Sequence, residues 1–300
     1  MAEVRLDELR ELRARRPDVV ASALAGRRRR DLLDADGRLL LIAVDHPARG
    51  TLGVRSDSEA MADRGELLRR TVAALRRPGV DGVLATADVI DDLLLLGALE
   101  DKVVVGSMNR GGLHGSSFEL DDRFTGYDVE SLAAAGFNGG KMLCRIDLED
   151  PGTVRTLESC GQAVTGLSRR GLMAMVEPFI SRREDGRVRN DLSTAAVVRS
   201  VTIAAGLGAS SAHTWLKVPV VEEMEQVVAA TTLPTLLLGG DPSGSPDRTY
   251  GRWERALAQP GVRGLVVGRA LLYPPDDDVE AAVDLAASLV RGSHLARVVT

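Results

Sequence analysis

Lysine is nearly absent from this chain of 300 residues: of 38 cationic side chains, only Lys102, Lys141 and Lys217 are lysines. The others are arginines, which stay charged at any working pH. A chain so biased towards arginine is expected to keep lysine where arginine cannot replace it. The main role of that kind is an amine that must lose its proton, so the lysines are the first candidates for chemistry.

Cysteine, histidine and long apolar runs are also scarce. Cys144 and Cys160 fit neither a disulfide framework nor a zinc site, and both are expected to stay reduced, as in a cytoplasm. The four histidines have no ligand spacing, so no metal is expected. No apolar run approaches the ~20 residues that span a bilayer, and the charged N-terminus lacks the core of a signal peptide. We therefore expect a cytoplasmic protein without membrane contact.

Clustered positive charge is missing as well. The net charge is −5, and the cationic residues are dispersed except at Arg27–Arg30. Because nucleic acid binding needs a clustered basic face, nucleic acid is not an expected partner. We interpret Arg27–Arg30 as the solvated end of a helix.

What is present is an alternation of short apolar runs and helices. The predicted strands are Arg38–Asp45, Gly82–Thr86, Lys102–Gly106, Gly139–Ile146, Leu172–Glu177, His213–Val218, Thr235–Leu238 and Gly264–Val267. They are continuously apolar, as strands buried on both faces are. No G-x-G-x-x-G follows the first strand to favour a doubly wound open sheet. The pattern predicts an α/β protein, a (β/α)8 TIM barrel over residues 37–300, with an N-terminal helical extension packed on it over residues 1–36.

Polar residues at the carboxyl ends of these strands are predicted to share one face of the barrel, where such folds have their active sites. Lys217 ends the sixth strand, and we interpret it as a Schiff-base nucleophile. Its amine must be neutral to react, which burial and a second cation such as Lys141 both favour. The alternative for Lys217 is a structural ion pair with a carboxylate.

Carboxylates end two further strands. Glu177, before Pro178 on the fifth, is a candidate for moving protons during carbinolamine formation and dehydration, or else a buried ion-pair partner. Asp45, after the apolar run of the first strand, is a candidate for orienting a substrate hydroxyl or holding Lys217. His46 is a candidate substrate contact or a loop residue.

Glycines follow the last two strands, in LLLGGDPSG (236–244) and LVVGRALL (265–272). Barrels commonly bind phosphate in these two loops, where backbone N–H groups can approach the anion closely. The predicted phosphate site is therefore Gly239, Gly240, Gly268 and Arg269.

Six stretches together resemble class I aldolases of the tagatose-1,6-bisphosphate and sulfofructose-phosphate type, within the deoxyribose-phosphate aldolase-like superfamily. They are LIAVDHPARG (41–50), TGYDVESLAAAGFNGGKMLCRID (125–147), GLMAMVEPF (171–179), AHTWLKVPV (212–220), PTLLLGGDPSG (234–244) and VRGLVVGRALL (262–272). They cover most of the barrel and leave out the N-terminal helices and the Ser107–Arg123 loop.

The resemblance implies a role for each strand-end residue. Lys217 would be the Schiff-base lysine and Glu177 the proton-transfer acid or base. Lys141 would be a cation that contacts the substrate, and Asp45 the carboxylate that completes the site. The implied enzyme is a metal-independent lyase without an organic cofactor. It would cleave a phosphorylated ketose or keto-sugar acid to dihydroxyacetone phosphate and an aldehyde.

Two departures from the family pattern bear on the substrate. His46-Pro47 stands where sugar-bisphosphate members carry glutamine and arginine, and Lys217 is followed by Val-Pro-Val without the usual acidic residue. The sequence also resembles a bacterial subgroup associated with myo-inositol catabolism. Its substrate would be 2-deoxy-5-keto-gluconate 6-phosphate, cleaved to dihydroxyacetone phosphate and malonate semialdehyde. Arg49 or Arg145 would then suit the substrate carboxylate.

Other readings stay open. One is a deoxyribose-phosphate aldolase; another is a barrel that binds a phosphometabolite and regulates a partner without turnover. Barrels of this kind often assemble, so a homo-oligomer is expected. The Ser107–Gly126 loop is longer than most connections. It is either a lid, with Met108, Asn109 and Arg110 closing over the substrate, or a disordered segment.

Overall fold

Eight parallel strands close into a barrel in the computed structural model, which describes residues 5–240 and 244–298, the last six as backbone alone. The strands are Leu39–Ala43 (β1), Gly82–Ala85 (β2), Val103–Ser107 (β3), Gly139–Ile146 (β4), Met173–Glu184 (β5), Arg187–Asn190 (β6), Thr214–Val218 (β7), Thr235–Leu238 (β8) and Val262–Val267 (β9). All except β6 belong to the barrel, and β9 pairs with β1 to close the ring. The predicted (β/α)8 architecture is confirmed.

Helices precede and surround the strands. They are Leu6–Arg15 (α1), Asp18–Gly26 (α2), Arg64–Leu75 (α3), Ala87–Leu95 (α4), Val129–Ala135 (α5), Gly152–Arg169 (α6), Thr194–Ala205 (α7), Met224–Ala229 (α8), Pro246–Leu257 (α9), Arg269–Leu272 (α10) and Val279–Val298 (α11). In the described ranges, none of them is both long and apolar enough to cross a membrane. The division of the chain after residue 36 stays a prediction, and residues 1–4 lie outside the described part.

Alternation along the strands separates two apolar layers. Leu39 and Leu41 of β1 pack inside the barrel in one cluster with Met175 of β5. Leu40 belongs to the other cluster, between the strands and the helices. Because alternate residues of a strand face the same side, Glu177, two positions beyond Met175, also faces the barrel axis. The strand period thus points the polar strand-end residues towards a common centre.

The segment before the barrel packs at the amino-terminal ends of the strands. Arg27, after α2, is only 5% exposed and donates to the backbone carbonyls of Lys102 and Gly136. Arg30 donates to the carboxylate of Asp81 at 3.1 Å. The interpretation of this arginine run as a solvated helix end is therefore wrong for both arginines, since their guanidinium groups satisfy polar groups at the barrel floor.

A β-hairpin extends from the barrel beyond the predicted end of the fifth strand. β5 runs on from Glu177 to Glu184 and turns through Asp185 and Gly186 into antiparallel β6. Both turn residues have positive φ, 50° and 76°, as a type I′ turn requires. The predicted strand, Leu172–Glu177, ends too early because the second half of the observed strand is polar. The Asp-Gly pair after it is nevertheless a hairpin signal in the sequence.

Gly264 lies at the seam where β9 pairs with β1. It pairs with Leu39 across the β9–β1 seam, at φ +142°, and an added Cβ would lie 1.8 Å from the carbonyl oxygen of Leu39. Gly264→Ala is expected to lower the free energy of unfolding by at least about 2 kcal/mol, because strands must move apart to admit the methyl group. Denaturant unfolding followed by circular dichroism measures this loss.

Gly251→Ala is the matched control for that substitution. Gly251 lies within α9, and the atom nearest to an added Cβ is a side-chain nitrogen of Arg255, 3.8 Å away. Alanine is the better helix former, so this variant is expected to be as stable as the parent or more so. Equal losses for the two variants would contradict the assigned role of Gly264.

Candidate active site

A cavity of about 700 Å³ opens at the carboxyl ends of the barrel strands. Every candidate site residue inferred from the sequence lines it, from Asp45 after β1 to Arg269 after β9. Asp241, Pro242 and Ser243, which belong to the predicted phosphate motif, lie outside the described residues. The fold therefore brings the candidate site residues together around one cavity. Their chemical roles stay predictions.

A chain of ion pairs crosses this cavity. Nζ of Lys217 lies 2.7 Å from Oε1 of Glu177, and Oε2 of the same carboxylate contacts Nζ of Lys141. Lys141 Nζ also lies 3.2 Å from Oδ2 of Asp45. The four side chains are at most 10% exposed. Since burial removes hydration from every charge, the protonation of each group depends on its neighbours.

Burial and charge act together on the pKa values of these groups. Burial alone would raise the pKa of Glu177, but the ammonium groups of Lys141 and Lys217 outweigh it and hold that pKa below its usual range. For Lys141, burial is the main cause of a pKa well below the usual lysine value. Glu177 opposes this shift, while Arg110 and Lys217 add to it. Glu177 is therefore ionised at neutral pH, and Lys141 holds its proton weakly for a lysine.

The predicted phosphate end of the cavity lies beside His46. A Cβ on Gly268 would lie 2.2 Å from the carbonyl oxygen of Ala43 and 3.2 Å from Cε1 of His46, so this close approach requires glycine. Burial, then Arg269 and Lys217, lower the pKa of His46 to about 3. This end of the cavity thus combines a permanent cation with a neutral imidazole and closely packed backbone.

Arg49 and Arg145 line the cavity but are engaged by the loop after β3. Arg49 pairs with Asp122 and donates to the carbonyl oxygen of Gly112. Arg145 pairs with Glu119. Each guanidinium charge is therefore already offset by a carboxylate. Through these contacts both arginines hold the loop after β3 against the barrel. A role for either arginine in binding a substrate carboxylate stays a prediction.

The loop of residues 107–126 is ordered and docked along β4. The Met108 N–H donates to the carbonyl oxygen of Lys141 at 2.9 Å. The side-chain amide of Asn109 donates to the carbonyl oxygen of Leu143 at 2.6 Å and accepts from the Leu143 N–H at 2.8 Å. Of the two alternatives for this segment, disorder is thereby excluded, because its first residues continue the hydrogen bonding of the neighbouring strand.

The same loop contributes Arg110, which the sequence left outside the catalytic set. The guanidinium is buried and pairs with Oδ2 of Asp45, while its Nε donates to the Ser107 hydroxyl at 2.8 Å. That hydroxyl in turn donates to Asp45 at 3.3 Å. A loop has no period from which the direction of a side chain can be read, so the available signal is only an arginine shortly after a strand end.

Asn109→Ala is expected to release the loop from β4. The variant leaves the N–H and carbonyl of Leu143 without their partners, which costs about 1–3 kcal/mol of stability. Limited proteolysis with mass spectrometry should then show faster cleavage within residues 107–126. Ser116→Ala serves as the control, because the Ser116 hydroxyl makes an exposed bond to Leu113 in the same loop. Equal cleavage rates for both variants would argue against this anchor.

Potential metal ligands are not gathered within the described ranges, where no three side chains of His, Cys, Asp or Glu are grouped to hold an ion. Asp45 and Glu177 face the ammonium group of Lys141, which lies between them. These two carboxylates are thus partnered by cations of the protein itself.

Comparison with known proteins gives a family and a shared fold. A family model described as Cgl0159-like matches residues 37–287. The structure of Cgl0159 from Corynebacterium glutamicum is 57% identical with a TM-score of 0.93, covering 96% of this chain and 97% of that one. An archaeal fructose 1,6-bisphosphate aldolase is 18% identical with a TM-score of 0.63, covering 87% and 96%. A Schiff-base-forming fructose-1,6-bisphosphate aldolase is 19% identical with a TM-score of 0.60, covering 85% and 94%. Curated proteins show no match.

Proposed function

The chain belongs to the Cgl0159-like family, and we propose that it is a carbon–carbon lyase that cleaves a phosphorylated ketose or keto-sugar acid through an imine on Lys217. The observation that carries the proposal is a row of three buried side chains in contact, Lys217, Glu177 and Lys141, in the cavity at the strand ends. An amine, a carboxylate and a second amine in contact are what imine formation needs: a nucleophile and groups that move protons.

Substrate binding begins at the phosphate. Gly239, Gly240 and Gly268 leave backbone accessible at the cavity wall, and Arg269 adds a permanent positive charge. Neutral His46 lies between this end and the lysines and can exchange hydrogen bonds with a hydroxyl or carbonyl of the substrate. A phosphate held here orients the neighbouring ketone towards Lys217.

Imine formation then follows from the ion pairs. The neutral Lys217 amine attacks the ketone carbon; the C–N bond forms and the C=O π electrons move to oxygen. The nitrogen then gives up one proton and the oxygen takes one, which yields the neutral carbinolamine. Lys141, which holds its proton weakly, supplies a proton to the leaving hydroxyl, and Glu177 stabilises the cations on either side. Water departs as the nitrogen lone pair forms C=N.

Cleavage uses the iminium as an electron acceptor. A base, for which Asp45 and Glu177 are the candidates, removes the proton of the hydroxyl on the carbon two bonds from the iminium carbon. The carbon–carbon bond breaks, its electrons form an enamine, and the aldehyde leaves. Protonation of the enamine and addition of the water released earlier regenerate Lys217 and free dihydroxyacetone phosphate. The reaction is redox-neutral and needs no further reactant.

The finer assignments are part of the same proposal. A fold shared with a Schiff-base-forming fructose-1,6-bisphosphate aldolase supports imine chemistry. The sequence departures at His46-Pro47 and after Lys217 favour a substrate other than a sugar bisphosphate, for which we name 2-deoxy-5-keto-gluconate 6-phosphate. Assembly into a homo-oligomer and a cytoplasmic location stay predictions.

The test is release of triose phosphate from a panel of substrates. Purified protein is incubated with fructose 1,6-bisphosphate, tagatose 1,6-bisphosphate, 2-deoxy-5-keto-gluconate 6-phosphate and deoxyribose 5-phosphate, and products are identified by mass spectrometry. Dihydroxyacetone phosphate from one of the first three supports the proposal. Acetaldehyde from deoxyribose 5-phosphate identifies the alternative aldolase. Binding of these compounds without turnover or imine formation would support the other alternative, a barrel that binds a phosphometabolite and regulates a partner.

A further inference from the structure

Five ionisable side chains, not four, form the connected network in the cavity. They run Arg110, Asp45, Lys141, Glu177, Lys217, so that positive and negative groups alternate and both ends are cations. With every group ionised the network has one excess positive charge. The groups come from separate parts of the barrel: Arg110 from the loop after β3, Asp45 from the segment after β1, and the other three from β4, β5 and β7.

We propose, on the basis of the function proposed above, that Arg110 is a positioning residue that sets the protonation of the two lysines. Its permanent charge provides the excess, and loss of one proton from the Lys141–Lys217 pair removes it. Without Arg110, two carboxylates and two ammonium groups would balance, and the network would hold both lysine protons. With Arg110 present, the positive and negative charges of the network are equal in number only when one of the two lysines is a neutral amine.

The position of Arg110 suits this role. Its guanidinium reaches the cavity wall and acts through Asp45, which it orients together with Ser107. Burial lowers the pKa of Arg110 to about 10, which leaves the guanidinium charged at neutral pH. Asn109, the preceding residue, is anchored to Leu143 on both its donor and its acceptor side. The charge is therefore present at neutral pH and fixed in place.

Several other charges near the network are arranged in compensated pairs. Those that face Arg110 from neighbouring elements are Arg145 with Glu119 and Arg49 with Asp122. His46, whose Nδ1 lies 3.9 Å from Oδ1 of Asp45, also faces the network; burial and the charges of Arg269 and Lys217 lower its pKa, so it is neutral. Arg110 is distinguished from these groups by its direct pairing with a carboxylate that also contacts Lys141.

The experiment measures imine formation as a function of pH. Wild-type protein is mixed with dihydroxyacetone phosphate and cyanoborohydride between pH 6 and 9, where Arg110 keeps its charge, and the mass gain at Lys217 is followed with time. The midpoint of this profile belongs to the lysine pair as a unit. Arg110→Gln is expected to move the midpoint up by about one pH unit or more, since a nearby cation is lost. Arg110→Lys, which keeps the charge, is expected to stay close to wild type.

Two further variants make the test directional. Asp45→Asn removes a negative charge from the same network, so its midpoint is expected to move to lower pH, opposite to Arg110→Gln. Arg123→Gln is the matched control, because Arg123 lies in the same loop but is exposed and pairs with Asp121; its profile should equal that of wild type. Thermal melting of each variant checks that it is folded.

The outcomes separate the two proposals. Opposite shifts for Arg110→Gln and Asp45→Asn support the role of Arg110. A lower extent of trapping at every pH with an unchanged midpoint means that Arg110 only holds the loop, and overturns the inference while imine formation stands. Should Arg110→Gln fail to fold, an unchanged midpoint in Asp45→Asn overturns it equally. No mass gain in wild type at any pH overturns the proposed function itself.

Discussion

Lys217→Arg is expected to abolish imine formation and to reduce carbon–carbon cleavage by about 10⁴-fold or more, as the loss of a covalent nucleophile does. Arginine keeps the positive charge beside Glu177, 2.7 Å from the present amine. It does not offer a lone pair at any working pH, so it cannot attack a ketone. A lysine with only a structural ion pair would tolerate this exchange. Cleavage rates and mass analysis after reduction with dihydroxyacetone phosphate distinguish the two cases.

Lys102→Arg is the matched control for Lys217→Arg. Lys102 is half-buried at the opposite end of the barrel, where its Nζ donates to the carbonyl oxygen of Val80 at 2.7 Å. Burial lowers the pKa of Lys102 as well, so a lowered pKa alone does not mark the site. This variant is expected to keep full activity. Loss of activity in both variants would mean that the chain needs its lysines for stability and not for an imine.

Glu177→Gln is expected to have the second largest effect, because one carboxylate faces both lysines. Removing a group that assists proton transfer lowers kcat by about 10²–10⁴-fold. Leaving two buried cations without their shared partner also costs about 3–5 kcal/mol of unfolding free energy at neutral pH. Steady-state kinetics and denaturant unfolding measure the two effects separately. Full activity in this variant would assign proton transfer to another group.

The stability cost has a defined pH dependence. Lys141 and Lys217 hold the pKa of Glu177 below its usual range despite burial, so the folded state binds fewer protons than the unfolded one. The stabilisation from this carboxylate is therefore complete above about pH 4.3, the ordinary value for glutamate, and declines as the pH falls further. Wild type and Glu177→Gln should converge in stability in strong acid. Glu184→Gln, an exposed position on the same strand, is expected to match wild type throughout.

Strand periodicity accounts for the part of the site that can be predicted from sequence. A parallel barrel collects strand ends on one face, and side chains alternate between the axis and the helices. Asp45, Glu177 and Lys217 each follow an apolar run, and Lys141 lies within the fourth predicted strand, so their convergence needs only the order of the strands and their side-chain period. The glycines after β8 and β9 follow the same logic. Lysine scarcity then singles out which of these residues merits a chemical role.

Contacts made by loops could not be obtained in this way. Arg110 reaches Asp45 because Asn109 docks on β4, and that docking depends on a side-chain amide whose partners are backbone groups of Leu143. No pattern in the sequence predicts this pairing of a side-chain amide with backbone groups. The engagement of Arg49 and Arg145 by loop carboxylates escaped prediction for the same reason. The hairpin after Glu177 is a different case. Its Asp-Gly pair is a turn signal in the sequence, but the polar residues on either side of it do not have the apolar pattern from which the other strands were predicted.

The ion pairs across the barrel also determine when in folding the site can exist. Asp45 and Lys141 are 96 residues apart in the chain, and Lys217 arrives later still, on β7. The pairing of β9 with β1 closes the ring of strands around these groups. Contacts of such long sequence separation form slowly. The buried ion pairs are therefore expected to form late in folding. A nascent chain without β9 contains Asp45, Lys141, Glu177 and Lys217 but lacks the strand that closes the barrel around them.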